Sequence, residues 1–305
     1  MKLVVAKGPE LYLYSFPNHP FNNERLGPFY DGLPKKVETV KPALATEDEI
    51  KLFHEPEYIE LVKRLSKIGS GLLDKGDTPA FKGCYEASLW SSGTTLNLTK
   101  EILDGKFEHA FNPTGGLHHA TPSSAAGFCI FNDIGIAINY LLGKKLKIAY
   151  VDTDAHHGDG VYYAFESEPS VVIADIHQDP RTLYPRTGFQ YEKGTGPAEG
   201  TKLNLPLAPG AGDTEFRIAF NTIIKFLSGF NLDFIIWQAG ADCMDGDPLT
   251  QLRYSPESYK YAANKLHKLA HEKCNGKLLV LGGGGYNAAS TAAAWLEAIK
   301  VLNSA

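Results

Sequence analysis

Six stretches of the chain are apolar, β-branched or aromatic over four to seven residues: 2–6 ("KLVVA"), 109–112 ("HAFN"), 146–151 ("LKIAYV"), 170–176 ("SVVIADI"), 234–239 ("FIIWQA") and 277–282 ("KLLVLG"). Several lack polar alternation, which suits strands covered on both faces. Between them, apolar residues recur at helical spacing over about 83–104, 127–142, 213–229, 256–273 and 287–302. Such alternation predicts an α/β fold, with one central, mostly parallel sheet sandwiched by helices. The first 80 residues break the pattern. They are rich in Pro, Gly, Asn and Asp, and long surface loops are expected there. No repeat or low-complexity linker divides the chain, so one domain is expected over 1–305.

With 305 residues, 43% of them hydrophobic, the chain can bury a large core. The formal charge of −5 and the absence of a Lys/Arg stripe argue against direct nucleic-acid binding. The opening "MKLVVAKGPE" holds too short an apolar run for a signal peptide, and no stretch has membrane-spanning length, so no membrane partner is expected. Cys84, Cys129, Cys243 and Cys274 are scattered without a C-x-x-C, which disfavours a disulfide framework or structural zinc. The expected setting is reduced and cytoplasmic.

In open parallel sheets, ligands bind beyond the carboxyl ends of the strands. "PTGGLHHA" follows 109–112, "DTDAHHGD" follows 146–151, and "HQDPRTLYPRTG" follows 170–176. "GADCMDGD" follows 234–239, and "GGGYN" follows 277–282. Five strand ends therefore deliver His, Asp and Tyr to one edge of one sheet.

Asp154 and His156 stand two residues apart, so an extended chain puts both side chains on one face. A carboxylate beside an imidazole makes two ligands for a first-row metal; the competing reading is an Asp that caps a helix. The second Asp of "GADCMDGD", or its neighbour, offers a third donor from another strand end. Asp-His-Asp with an open position is a catalytic pattern, and its two carboxylates leave Mn²⁺ or Fe²⁺ open beside Zn²⁺. His118 and His119 follow a Gly-Gly turn. A hydrolase that activates water needs a base for the water and an acid for the leaving group, and histidine does either near neutral pH. Asp152 and Asp159 could orient these imidazoles by accepting their second N–H. "LVLGGGGYNAAS" holds Gly283-x-Gly285-x-x-Ala288, but too little chain follows for a dinucleotide fold. Its glycines read instead as a tight turn exposing Tyr286, whose phenol can donate to a developing oxyanion.

The blocks "GGLHHA…GFCIFND", "VDTDAHHGDGV", "GADCMDGDPL" and "LGGGGYN" occur in that order and resemble the zinc-dependent lysine deacetylases. That family spans histone deacetylases, acetoin-utilisation-type deacetylases and acetylpolyamine amidohydrolases. "GDTPAFKGCYEAS" and "HPFNNERL" extend the resemblance almost to the N-terminus. It implies a single α/β domain like that of the arginases, and hydrolysis of an acetyl amide to release acetate. Asp154, His156 and Asp242 are implied as zinc ligands, with Fe²⁺ as an alternative ion. His118 and His119 are implied as the catalytic pair, backed by Asp152 and Asp159, with Tyr286 polarising the acetyl carbonyl. Gly127, Phe128 and Tyr184 fall where the family grips the acyl-lysine stem. Leu249 falls near the tunnel mouth, and Gly284 among the substrate-binding positions. Asp77 matches a rim aspartate that holds the substrate backbone in some members. A structural K⁺ or Na⁺ is implied around Asp152, Asp154, His156, Asp175 and Ile176, and a second near Phe165 and Val171. In the implied mechanism the amide carbonyl is polarised by zinc and Tyr286 while His119 takes a proton from the attacking water.

Three positions depart from the common pattern: Leu117 where many histone deacetylases have Trp, Arg186 where Gly is frequent, and Asp175 where Ser is usual. None removes a reacting group, and all bear on the substrate. An arginase-type ureohydrolase would carry Asp-Ala-His-x-Asp, whereas "DAHHG" ends on Gly158 and lacks a ligand for a second metal. An inactive acyl-binding protein would have no need to retain the metal, base and Tyr positions. The expected substrate is acetyl-lysine in a protein or peptide, because Asp77 could hold a peptide backbone. Acetylated polyamines and other small acyl amines are the alternatives.

Overall fold

Every neighbouring pair in the eight-stranded sheet is parallel, in the order β2-β1-β3-β8-β7-β4-β5-β6. The strands are β1 (Leu3–Ala6), β2 (Glu38–Val40), β3 (His109–Asn112), β4 (Ile148–Asp152), β5 (Val171–Gln178), β6 (Lys202–Leu207), β7 (Phe234–Gln238) and β8 (Leu278–Leu281). The computed structural model describes residues 3–17, 19–74 and 76–304. Lys2, with which the first expected strand began, lies outside the described residues.

All six expected strands are present and form the interior of the sheet, where β1, β3, β4, β5, β7 and β8 are buried along their whole length. The two strands that the apolar pattern missed, β2 and β6, are the edges. β2 has three residues, of which Glu38 and Thr39 are exposed, and β6 carries Pro206, which a sheet tolerates at an edge. After β3 the chain jumps to β4 and builds outward through β5 and β6. It then returns to fill the gap with β7 and β8. As a result Asn112, Leu281, Gln238, Asp152 and Asp175 stand level across five adjacent strands. Five strand ends open onto one edge together.

The helices are α1 (Leu26–Gly32), α2 (Glu47–Ile50), α3 (Pro56–Ile68), α4 (Cys84–Leu103), α5 (Asp133–Leu142), α6 (Asp159–Ala164), α7 (Asp213–Ser228), α8 (Pro256–Cys274) and α9 (Ala288–Ser304). They fall into two packed groups: α1, α9, α8 and α7 touch in series, as do α3, α4, α5 and α6. The loops expected over the first 80 residues are in part helices. α3 starts with Pro at its first turn and buries Tyr58, Ile59, Val62 and Ser66, one face of an amphipathic helix. The helix expected over 127–142 starts only at Asp133. Gly127 and Phe128 have φ of 52° and 68°, and the Asn132 side chain caps the helix by accepting from Gly135 N at 2.9 Å.

Two fully buried tryptophans fix the strand-end loops. Trp237 Nε1 donates to Thr153 Oγ1 at 2.9 Å, and Trp295 Nε1 donates to the Ala239 carbonyl at 3.0 Å. Each indole thus anchors a loop that leaves β4 or β7, and truncation to Ala would cost about 3–5 kcal/mol.

Candidate active site

The loop after β4 stays open because neighbouring strand ends take up its amides. Thr153 N donates to the Gln238 carbonyl (3.0 Å), Ala155 N to Asp242 Oδ1 (2.8 Å) and Gly158 N to Asp175 Oδ2 (3.0 Å). Asp154 Oδ2 accepts from Gln238 Nε2 at 2.8 Å and Gly284 N at 2.9 Å. What remains are Asp154 Oδ1 and Asp242 Oδ2, which lie 3.1 and 2.9 Å from His156 Nδ1. Donors about 2.0–2.2 Å from one shared tetrahedral ion would be roughly 3.3 Å apart, so this trio fits a metal. Its charges point the same way. Burial and the Asp154 carboxylate push Asp242 up to about 7. Burial opposes a charge on His156, yet its bonds to Asp154 and Asp242 hold it up at about 10. Two buried carboxylates so close need a cation, and a proton on His156 meets that need when no metal is bound. Gly284 is required here: a Cβ would lie 2.6 Å from Asp242 Oδ2 and 2.8 Å from Asp154 Oδ2. The second Asp of "GADCMDGD", Asp245, is exposed and lies outside the trio, while Asp247 turns to accept from Tyr286 N at 2.9 Å.

His118 and His119 leave the loop after β3 with their Nε2 atoms 3.1 Å apart. Each holds a different acid on its other nitrogen: His118 Nδ1 is 2.8 Å from Asp152 Oδ2, and His119 Nδ1 is 2.6 Å from Asp159 Oδ1. Asp152 also accepts from Tyr150 Oη, and Asp159 begins α6. The two environments push the pair apart. Burial works against a charge on His118, but Asp152 and Asp154 raise it to about 10. Burial and the neighbouring His118 lower His119, so that it stays neutral near pH 7. A charged and a neutral imidazole side by side are an acid and a base. Gly127 lies against His119; a Cβ there would sit 2.2 Å from its Cδ2.

A narrow cavity brings these groups together, walled by Phe21, Leu117, Cys129, Gly127, Gly283 and Tyr286 beside both histidines, Asp154 and His156. Burial pushes the Tyr286 phenol well above its usual value, so it remains a donor. Phe128 packs edge-on to Tyr286 with centroids 6.0 Å apart, and its carbonyl accepts from Tyr14 Oη at 2.8 Å. The Tyr184 ring stands 5.1 Å from that of His119 and opens onto a wider rim pocket with Asp74, Asp77 and Ser124. Asp77 Oδ1 accepts from Gly127 N at 3.0 Å and Thr78 Oγ1 at 2.9 Å, which ties the rim to the cavity wall. Leu249 is exposed and is not among the residues lining that pocket. Asp175 is fully engaged by His177 Nδ1 at 2.6 Å and Gly158 N; with Ile176 it lies behind the metal donors on β5. Arg186 points back along its own loop, donating to the Arg181 carbonyl at 3.2 Å.

Three supporting residues take no role from the sequence pattern, although Arg25 falls in "HPFNNERL" and Asp133 in "GFCIFND". Buried Arg25 donates to the Gly283 carbonyl at 2.7 Å and lies 4.3 Å over the Phe21 ring. Burial lowers it only to about 10, so it keeps its charge near Tyr286 and the two aspartates. Gln238 accepts from Gly240 N (2.7 Å) while donating to Asp154. Asp133 accepts from Gly116 N (3.0 Å) and Leu117 N (2.8 Å), fixing the turn before His118.

A parallel α/β sheet whose strand ends gather an Asp-His-Asp donor set, two His–Asp pairs and a cavity tyrosine holds the groups that a metal-assisted α/β hydrolase needs. The histone deacetylase domain family matches residues 19–302. The chain belongs to the histone deacetylase family and is a hydrolase acting on acetyl amides. It is 39% identical over 301 residues to the acetoin utilization protein AcuC of Bacillus subtilis, covering 93% of this chain and 77% of that protein. It is 34% identical to AcuC of Staphylococcus xylosus, covering 91% and 76%. Among solved structures, an HDAC homolog from Aquifex aeolicus aligns with a TM-score of 0.89 at 30% identity, covering 100% of this chain and 84% of that one. The HDA15 HD domain aligns at 0.91 and 29%, covering 99% and 89%. No helix among the described residues is long and apolar enough to cross a membrane.

Proposed function

We propose that the chain is one deacetylase domain that hydrolyses the acetyl amide of acetyl-lysine side chains in proteins or peptides, with Zn²⁺ held by Asp154, His156 and Asp242. The observation that carries this reading is one narrow cavity lined by Asp154, His156, the His pair and Tyr286, with Asp242 against His156, and set beside a rim with Asp77 and Tyr184. When bound, the ion supplies Lewis acidity and lowers the pKa of a coordinated water. Neutral His119 accepts the proton of the attacking water at Nε2, with Asp159 holding its Nδ1–H. Tyr286 donates its O–H to the oxygen on which negative charge develops. Protonated His118, steadied by Asp152, gives its Nε2 proton to the departing amine, and acetate remains. Gly127, Phe128, Tyr184 and Gly284 shape the acyl channel, and the second oxygen of Asp77 receives the substrate backbone N–H. A structural K⁺ or Na⁺ near Asp152, Asp154, His156, Asp175 and Ile176 belongs to the same reading. The four cysteines are free and buried, which agrees with a reducing, cytoplasmic setting.

The test compares an acetyl-lysine peptide with acetylspermidine, side by side, with added Zn²⁺. A higher kcat/KM on the peptide is expected. Far faster turnover of acetylspermidine would overturn the peptide assignment in favour of a polyamine amidohydrolase.

A further inference from the structure

A second cluster of imidazoles lies at the opposite edge of the sheet, beyond the amino ends of the strands. His109 opens β3, level with Leu278, which opens β8. His267 and His271 stand four residues apart near the end of α8, on one helix face. His109 Nε2 is 2.9 Å from His267 Nδ1, and the three ring centroids are 5.1, 5.4 and 4.5 Å apart. One ring nitrogen from each residue falls within 4.8 Å of the other two.

Hydrogen bonding leaves this cluster unfinished. Buried polar atoms in folded proteins find partners in the large majority of cases. Here the Nδ1 of fully buried His109 has none, nor has the buried Nε2 of His271. Oε2 of Glu108, the residue before His109, is also buried without a partner. Three rings that served only as packing would not concentrate orphaned lone pairs beside an orphaned carboxylate. A cation shared by the facing ring nitrogens supplies the positive charge that Glu108, close enough to act on His267, would balance. His267 and His271 are partly exposed, so an ion can arrive from solvent. Gly276, at φ 80°, closes against the His271 ring, where a Cβ would sit 2.8 Å from Cε1.

We propose that His109, His267 and His271 form a second metal site, taking one divalent d-block ion of the imidazole-binding class, such as Zn²⁺ or Ni²⁺. Three nitrogen donors leave a position open for water, and Glu108 balances the charge. The ion pins the end of α8 to the start of β3. Because this site sits at the far edge of the sheet from the deacetylase cavity, its role is structural.

The experiment titrates Ni²⁺ into protein carrying a single equivalent of Zn²⁺ per chain. Calorimetry and total metal analysis are read for the parent and for a His267→Gln, His271→Gln double variant. The parent is expected to take up one further equivalent per chain, and its Tm to rise by about 4 °C at a free concentration near 100 times Kd. The double variant is expected to bind at least about 100-fold more weakly and to lose the Tm shift. Both positions are partly exposed, so the variant should fold; its metal-free melting curve, matching that of the parent, checks this. A His271→Gln single variant gives a second reading should the double variant melt early. Equal uptake and affinity in parent and variants, or no equivalent beyond the first in the parent, would overturn the proposal.

Discussion

Replacing Asp159 by Asn isolates the charge that stands behind the proposed base. The carboxylate lies 2.6 Å from His119 Nδ1, and Asn keeps its size while removing its charge. A hydrogen bond to a charged partner contributes about 1.5–3 kcal/mol. If that stabilises the imidazolium formed as His119 takes its proton, its loss raises the barrier by the same amount. At about 1.4 kcal/mol per tenfold, kcat should fall by roughly 10- to 100-fold. Asn can also donate to Nδ1 and invert the tautomer, an error that costs about 10⁴-fold in a serine-protease triad. KM should barely change, because Asp159 does not line the cavity. The pH profile gives an independent sign. Burial and His118 already hold His119 below its usual 6.5, while Asp159 raises it. In the parent, the acid limb of kcat/KM should therefore lie below pH 6.5. In Asp159→Asn it should move further down, since the neutral base then survives to lower pH. Initial rates on an acetyl-lysine peptide from pH 5 to 9 measure both effects. A kcat within twofold of the parent, or an acid limb that does not move, would refute the base assignment.

Tyr286→Phe should cost about 10²–10³-fold in kcat with little change in KM, as for loss of one oxyanion donor; activity equal to that of the parent would remove Tyr286 from the mechanism. Gly284→Ala drives a Cβ to 2.6 Å from Asp242 Oδ2, so metal bound per chain, read by atomic absorption after dialysis, should drop at least about tenfold in affinity. Metal loading must displace the proton that Asp154 and Asp242 hold on His156 up to about pH 10. Calorimetry at pH 8 in buffers of different ionisation heat should therefore detect about one proton released per ion, and affinity should rise with pH until about 10. Loading without proton release would contradict that account of the trio. Asp77→Asn keeps an acceptor for Gly127 N while removing the rim charge; KM for the peptide should rise about tenfold with kcat within about threefold, in keeping with loss of one charge-assisted hydrogen bond.

The interior of this fold was legible because burial writes itself into composition. β4 and β5 are apolar enough to be read directly, and each hands over to His and Asp at its carboxyl end. The edges were not legible: Glu38–Val40 is short and mostly exposed, and Lys202–Leu207 mixes Lys, Asn and Pro with leucines. α3 is a different kind of miss. Its buried Tyr58, Ile59 and Val62 follow helical spacing, but a Pro-rich neighbourhood masked it, although Pro56 sits where a helix welcomes proline. No local pattern gives a role to Gln238, or to Arg25 although it lies in "HPFNNERL". Arg25 meets Gly283 across 258 residues, and its role exists only once α1 and the turn after β8 are packed together.

The adjacent histidines of "DAHHG" show how one loop divides like side chains between two roles. β4 ends at Asp152, and the chain bends at Asp154, Ala155 and His156 before α6 begins. Asp152 meets His118, while Asp154 and His156 meet Asp242. Toward β5, Ala155 O accepts from Gln178 N at 2.9 Å. His157 bonds Thr187 Oγ1 at 2.9 Å and packs on the rings of Tyr162 and His177, with no carboxylate on either nitrogen. Burial holds it well below the usual imidazole range, so it is a neutral packing group. Two identical side chains one residue apart thus differ in charge and in function because the bent loop hands each a different set of neighbours. Inserting one residue between Asp152 and Asp154 is expected to move Asp154 and His156 away from Asp242, and so to abolish metal binding, read as metal content after dialysis, while leaving β4 paired with β5 and β7.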